Sequence, residues 1–318
     1  SKAMEKYKEI MNKGGENSSK SQQYLDGLLN VPFGILKKEK ILLKLSNFRL
    51  ELKIVIKEIQ NNILDDSIQH CIKYDLDKIK GQDITNLLVS IIKNMDNILN
   101  NSILHTIDSL QPTKYSFIEL KQIFKQINKI LKENKLELIK PKKSRNELNN
   151  VIFNSIKLMT NLDIKIKLMN TINYNENVNQ KLLFHNKLLK IENKWQNNKD
   201  DYKDYLVGVN DILNKAVYGQ DDAKNEILRI IAQWMNGEMK GYCIGFEGPP
   251  GIGKTSLAKK GIANCLVDDD GNSRPFAFIP LGGSSNGSIL EGHSYTYVGS
   301  NWGKIVDVLM ETKCMNPI

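Results

Sequence analysis

Residues 248–255 read Gly-Pro-Pro-Gly-Ile-Gly-Lys-Thr, a complete G-x-x-x-x-G-K-[ST] loop, and its flanks narrow what the chain can build around it. Tyr242-Cys243-Ile244-Gly245-Phe246 upstream is a short apolar run of buried-strand type, and Thr255 to Leu266 has the apolar spacing of a helix. A strand, a glycine turn and a helix start in that order predict a phosphate cradle. Glycines let backbone N–H groups turn inward where a side chain would block the approach, and a helix start adds its own unpaired N–H groups and partial positive charge. In such a cradle Gly248, Pro249, Pro250, Gly251, Ile252, Gly253, Lys254, Thr255 and Ser256 are expected to surround the phosphates of a nucleotide. Lys254 reaches the β and γ groups, and the Thr255 hydroxyl helps hold Mg²⁺.

The rest of the chain is read against that anchor. A length of 318 residues allows two or three domains, with 41% hydrophobic residues as in an ordinary globular protein. No apolar run approaches the roughly 20 residues that span a bilayer, and the opening Ser-Lys-Ala-Met-Glu-Lys has no signal-peptide core, so a cytoplasmic location is expected. Cys71, Cys243, Cys265 and Cys314 are scattered, which predicts reduced, mostly buried thiols and no zinc site. The formal net charge of +9 is uneven. Residues 201–318 carry 11 Lys/Arg against 14 Asp/Glu, so of the totals of 45 and 36 the first 200 residues hold 34 and 22. Such an excess attracts nucleic acid when it is concentrated. Here the lysines are dispersed and aromatic residues among them sparse, which favours solvated helix faces.

Residues 1–23 are polar, and Gly14-Gly15 with Ser18-Ser19 predict a turn-rich opening. From Ile35 to Trp195 helical spacing dominates. Phe117, Leu120, Ile123, Phe124, Ile127, Ile130 and Leu131 form one amphipathic face, Ser116 with Glu119 makes a capping box, and Pro112 and Pro141 punctuate the ends. Leu87 to Leu110 and Val151 to Met169 read as similar helices, Asn173 to Asn179 as a loop. After Trp195 come an Asp-rich linker, a helix from Asp204 to Asn214, a turn at Tyr218-Gly219 and an amphipathic helix from Gln220 to Met235. A second strand is expected at Phe276 to Leu281, and Asp268-Asp270-Gly271-Asn272 reads as a solvated turn, not a metal site.

Around the loop the chain resembles the Lon family of AAA+ proteases. The loop continues as Ser256-Leu257-Ala258, followed by Leu281-Gly282-Gly283, Glu291-Gly292-His293, Thr296-Tyr297-Val298-Gly299, Gly303-Lys304-Ile305 and Asn316-Pro317. Val217-Tyr218-Gly219 is similar to the segment that holds the adenine ring, and Tyr24-Leu25-Asp26-Gly27 through Val31-Pro32-Phe33-Gly34 to the stretch preceding the family's ATPase domain. In the family these two pieces lie close together in sequence; roughly 180 residues separate them here.

The resemblance implies a mainly α N-terminal region followed by the first part of an α/β P-loop (AAA+) domain. Residues 1–35 correspond to the pre-ATPase segment, 36–200 to a helical insertion and 201–318 to the start of the ATPase domain. The acidic Walker B pair, sensors, arginine finger and serine-lysine peptidase are expected beyond Ile318, so the chain is expected to be a fragment with little turnover of its own. The implied function is the ATP-binding part of a Lon-like ATP-dependent protease, with ATP and Mg²⁺ as cofactors, protein as substrate and a homo-hexameric ring as assembly. Tyr218 and Gly219 fall at the adenine, Tyr297 and Val298 at the pore loop that grips peptide by non-directional aromatic contact. On local sequence alone Tyr295, Tyr297 and Trp302 instead cap a domain face, Tyr218 packs a turn, and His293 is a structural hydrogen-bonding group. An AAA+ ATPase acting on nucleic acid through its basic helices, and a helical interaction module with an inactive nucleotide site, are the alternatives. The absence of Lys and Arg between Gly282 and Gly303 disfavours a DNA-gripping pore.

Overall fold

A computed structural model describes residues 4, 5, 7, 8, 11, 16–63, 65–109, 115–172, 176–238, 243–268, 270–282, 287–292 and 302–318. The chain divides into two compact units, Ser1–Ser46 with Asp200–Ile318, and Asn47–Lys199. The second is continuous in sequence; the first is built from two pieces.

Helices dominate: α1 (Glu16–Asn30), α2 (Lys40–Asn62), α3 (Asp66–Cys71), α4 (Gly81–Ser109), α5 (Phe117–Glu133), α6 (Arg145–Leu158), α7 (Leu162–Met169), α8 (Glu176–Ala216) and α9 (Asp221–Met235). A helical stretch over 254–265, α10, is α-helical at both ends and π-helical at Leu257–Ile262, and α11 (Ser288–Glu291) and α12 (Lys304–Thr312) follow. No helix of the described residues is long and apolar enough to cross a membrane.

In the 47–199 unit, α2 buries Phe48, Leu52, Ile56 and Ile59, α4 buries Leu87, Leu88, Ile91 and Met95, and α8 buries Phe184, Leu188 and Trp195. These recur every three or four residues, so each helix turns one stripe inward, worth about 1.5–3 kcal/mol for each large side chain removed from water. Phe48 and Trp195 meet at 4.9 Å between ring centroids, and Trp195 Nε1 donates to Thr85 Oγ1 at 2.9 Å. A second cluster joins Leu99, Ile103 and Ile107 to Leu120, Ile123, Ile127 and Leu131 of α5, Leu148, Ile152 and Ile156 of α6, and Leu168 and Met169 of α7. The capping box at Ser116 and Glu119 is present on both sides.

Several expectations are corrected here. The opening is helical from Glu16, not turn-rich, and residues 176–179 belong to α8, not to a loop. The Asp-rich linker after Trp195 does not exist: α8 runs unbroken to Ala216, because Trp195, Asn198, Tyr202, Tyr205, Val209 and Leu213 keep one inward stripe while the aspartates face out. Val151 to Met169 is two helices, interrupted at 159–161, where Asn161 caps α7 by accepting the Ile164 amide. The runs 243–247 and 274–281 carry no named strand. One hydrogen-bond pair does cross there: Ala277 N–H donates to Ile318 O at 2.8 Å and Ile318 N–H to Pro275 O at 2.9 Å. One residue bonding to both neighbours of another is the pattern of parallel pairing.

The other unit is held by ties between its two sequence pieces. Arg274 Nε donates to Glu39 Oε1 at 2.8 Å and its Nη2 contacts the same oxygen; Glu39 is 2% exposed. Met315 N–H donates to Ile35 O, while the Asn316 amide takes both the N–H and the C=O of Lys37, replacing a missing strand neighbour. The Asn272 amide and the Lys37 ammonium together hold the Asp268 carboxyl below the usual carboxylate range. Asp268 thus closes the expected turn, and no group of three or more potential metal ligands occurs among the described residues.

Removing one member of a buried ion pair strands the other charge, at about 3–5 kcal/mol. Arg274→Met is expected to destabilise the unit containing residues 200–318 by about that amount in urea unfolding, and Glu39→Leu with Arg274→Met to recover most of it. A double variant as unstable as the single would place the stabilisation elsewhere.

Candidate functional site

The loop at 248–253 is shaped by three glycines at positive φ: Gly248 at 149°, Gly251 at 87° and Gly253 at 91°. These values strain any residue with a Cβ. Two of the glycines are also sterically fixed, since a Cβ on Gly248 would run into Ile252, and one on Gly253 would lie 3.0 Å from both methyls of Val217. Gly253 is the N-cap of α10, and its carbonyl takes the Leu257 amide at 2.8 Å. Lys254, the first residue of α10, folds back across the loop and donates through Nζ to the carbonyls of Gly248 and Pro249, at 2.7 Å each. One positive charge therefore lies over a ring of backbone opened by glycine.

Behind the loop, α10 packs through Leu257, Ile262 and Cys265 onto Val209 and Leu213 of α8 and Ile227 and Ile231 of α9. Gly261 permits the approach, its Cβ position being 3.1 Å from Leu213. The Tyr205 hydroxyl donates to the Cys265 carbonyl, and burial raises the Tyr205 phenol above its ordinary value. Burial also pushes the Cys265 thiol up to about 12, so it is an inert packing group. Cys314 is buried as expected, whereas Cys71 is half-buried and Cys243 exposed.

Beside the loop lies a cavity of about 170 Å³ lined by Val217, Gln220, Ala223, Gly245, Phe246, Glu247, Ile252, Gly253, Lys254 and Leu257. Its far wall is the turn between α8 and α9, where Gly219 and Gln220 take φ of 68° and 60° in succession. Of the predicted contacts, Ile252, Gly253 and Lys254 line this space, while Gly248, Pro249, Pro250 and Gly251 form the exposed loop outside it and Thr255 stands exposed on the first turn of α10. Ser256 is half-buried on the same turn. Tyr218 is fully exposed, and its neighbours Val217 and Gln220 face the cavity instead. Sequence reasoning placed Val217 only within the segment that resembles an adenine-holding stretch and missed Gln220, Ala223 and Phe246 as lining residues. The signal available for Val217 was its place beside Tyr218-Gly219.

Tyr297, Val298 and His293 lie outside the described residues, as do Thr296 and Gly299. The chain on either side of that stretch is joined by an antiparallel bridge between Gly292 and Trp302. Trp302 stacks on Tyr24 of α1 at 5.4 Å, against the bare Gly27, where a Cβ would run into the indole.

Among known proteins, the chain is 40% identical over 105 residues to a Lon protease homolog of Acanthamoeba polyphaga mimivirus, covering 33% of this chain and 10% of that protein. It is 39% identical over 123 residues to the Lon protease of Clostridium acetobutylicum (38% of this chain, 15% of that one) and 35% identical over 125 residues to the mitochondrial Lon protease homolog of Rattus norvegicus (39% and 12%). The chain thus spans well under a fifth of the length of these relatives. No family model matches it, and no solved structure does. Over about a third of its length, at 35–40% identity, this chain is similar to several proteins of the Lon protease family.

Proposed function

We propose that residues 248–256 hold the triphosphate of ATP, and that the chain is the nucleotide-binding part of a Lon-like ATP-dependent protease. The observation that carries this reading is the loop itself: three positive-φ glycines closed by Lys254 at the start of α10, with a cavity alongside. A bound phosphate chain competes for the Lys254 ammonium with two loop carbonyls, exchanging neutral acceptors for anionic ones, which make shorter and stronger bonds. The backbone amides opened by Gly251 and Gly253 and the first turn of α10 supply the remaining donors. Mg²⁺, when bound, neutralises charge between the β and γ phosphates, and Thr255 on the first turn is the hydroxyl that would hold it. Tyr218, exposed at the rim beside Val217, supplies an aromatic face for the adenine.

The parallel hydrogen-bond pair around Phe276 and Ile318 supports an α/β arrangement beside the loop, as a P-loop domain requires. That several relatives are named Lon protease supports a hydrolase that degrades protein when full length. A ring of identical subunits and a pore loop at Tyr297-Val298 belong to the same proposal. The bridge at Gly292 and Trp302 and the Trp302–Tyr24 stack support it by fixing both ends of that stretch to the unit. In this reading residues 36–200 are a helical insertion, most of which, Asn47–Lys199, forms one compact unit. Its two ends lie close together, as an insertion requires: Phe48 meets Trp195, and Lys44 pairs with Asp201 just outside.

Hydrogen bonds to charged groups contribute about 1.5–3 kcal/mol, or roughly 10- to 100-fold in affinity. Lys254→Ala is expected to weaken ATP binding by that factor and to abolish turnover in the full-length protein, with helicity by circular dichroism unchanged. Normal turnover in this variant would exclude the loop as the nucleotide site.

Tyr297 is assigned to substrate movement and not to chemistry. Tyr297→Ala in the full-length protein should keep basal ATP hydrolysis while failing to degrade a stably folded, tagged substrate. Degradation at the wild-type rate would return Tyr297 to a packing role.

A further inference from the structure

Helix α10 changes its winding between two fixed ends. Lys254–Ser256 and Ala263–Cys265 are α-helical, but Leu257–Ile262 between them is π-helical, and the Ala263 amide donates to Ala258 O, five residues back. A π turn holds more residues than an α turn, and such turns are rare and frequently lie at functional sites. Here the winding decides which side chain enters the core. Leu257, Ile262 and Cys265 pack together with Val209, Leu213, Ile227 and Ile231. On a regular helix at 100° per residue, Ile262 would stand about 140° from Leu257, and Gly261 would take the inward place at about 40°. The π turn therefore carries Ile262 into the core, and Gly261 fits beside it because it has no side chain to meet Leu213, 3.1 Å from its Cβ position. At the C-terminal end the Tyr205 hydroxyl donates to Cys265 O, and Leu266 O accepts the Arg274 amide at 2.8 Å. At the N-terminal end Gly253 is set against Val217, and Lys254 is tied to the carbonyls of Gly248 and Pro249. Of these ties, the Lys254 contacts are the ones that a bound anion breaks, by offering a stronger acceptor.

We propose that α10 is a two-state element set by nucleotide occupancy, π-wound without nucleotide and α-wound throughout once phosphate draws Lys254 off the loop. This regulation rests on residues 248–256 being the nucleotide site. A ligand shifts a conformational equilibrium only by binding one state better, and here the difference has a physical source. Across the π segment each N–H reaches one carbonyl further back, so the hydrogen-bond ladder is interrupted soon after the first turn. An unbroken α ladder sums its peptide dipoles along the axis and presents the Lys254, Thr255 and Ser256 amides to an anion at its start. Phosphate therefore favours the α form. The π form is kept by the opposing contribution, the burial of Ile262. Conversion turns Ile262 out of its place against α8 and α9 and brings Gly261 there, leaving that core one large side chain short. Occupancy of the loop is thereby reported at Ile262, about 12 Å further along the helix.

The test measures two quantities in the full-length protein: affinity for ATP with Mg²⁺, by anisotropy of a fluorescent ATP analogue, and amide hydrogen exchange. Saturating ATP should change exchange across residues 259–265, which lie beyond the turn that touches phosphate. Deleting the exposed Lys260 leaves Ile262 four residues after Leu257, so a regular helix now seats it in the core. That variant has no conversion left to make. Its exchange response across the same residues should disappear, and ATP should bind about tenfold more tightly, the factor lost when about one molecule in ten holds the competent form. Should the deletion fail to fold by circular dichroism, Ile262→Ala takes its place. It weakens the burial that keeps the π form and should also tighten ATP binding, whereas an isoleucine that only packs would leave affinity unchanged or lower it. ATP binding with unchanged exchange at 259–265, or with no gain of affinity in the variant that folds, overturns the two-state helix and leaves the nucleotide site standing. No ATP binding by the unaltered protein is a different result, which removes the nucleotide site and this regulation together.

Discussion

The buried pair of Glu39 and Arg274 joins residues 235 positions apart and ties the two sequence pieces of the first unit, where losing either partner would strand a buried charge. Burying two charges is costly unless each satisfies the other, so this pair specifies one docking of the N-terminal piece and is costly to misalign. Around it the Asn316 amide and the Asp268 carboxylate tie the backbone and ammonium of Lys37, so that residues 35–39 are bound by directional contacts. The hydrophobic cluster of the same unit includes Leu42, one turn further on.

This arrangement gives a physical reading of residues 24–34. Gly27 is needed because Trp302 lies where its side chain would be, and Tyr24 stacks on the same indole. Residues that look arbitrary in sequence are thus one half of a contact whose other half lies far along the chain.

Local features were legible where one rule decided them. The glycine loop, the Ser116–Glu119 capping box and the inward stripe of α5 each follow from residues within one or two turns. The helical continuation through Asp200 and Asp201 into the helix expected from Asp204 was hidden because clustered acidic residues suggested a linker, while the inward spacing from Trp195 to Leu213 continued beneath them. The Gln220 and Ala223 wall of the cavity was hidden for another reason, since it is set by the packing of α8 and α9 against α10, which no local pattern encodes. The hydrogen bonds of Asn128 to the N–H and C=O of Ile139 were also beyond reach: an asparagine bracketing a backbone 11 residues away leaves no periodic trace.

The two-piece construction has a consequence for synthesis. Residues 47–199 are contiguous, so their helices can pack as soon as they leave the ribosome, whereas Glu39 and Leu42 must wait until Arg274 and the helices from 200 onward have been made. The intervening unit, once folded, turns a connection of some 150 residues into one whose ends are already close, as the Phe48–Trp195 contact shows. It thereby removes most of the chain entropy that would oppose closure. The order of translation thus lets residues 47–199 pack before both pieces of the other unit have been made.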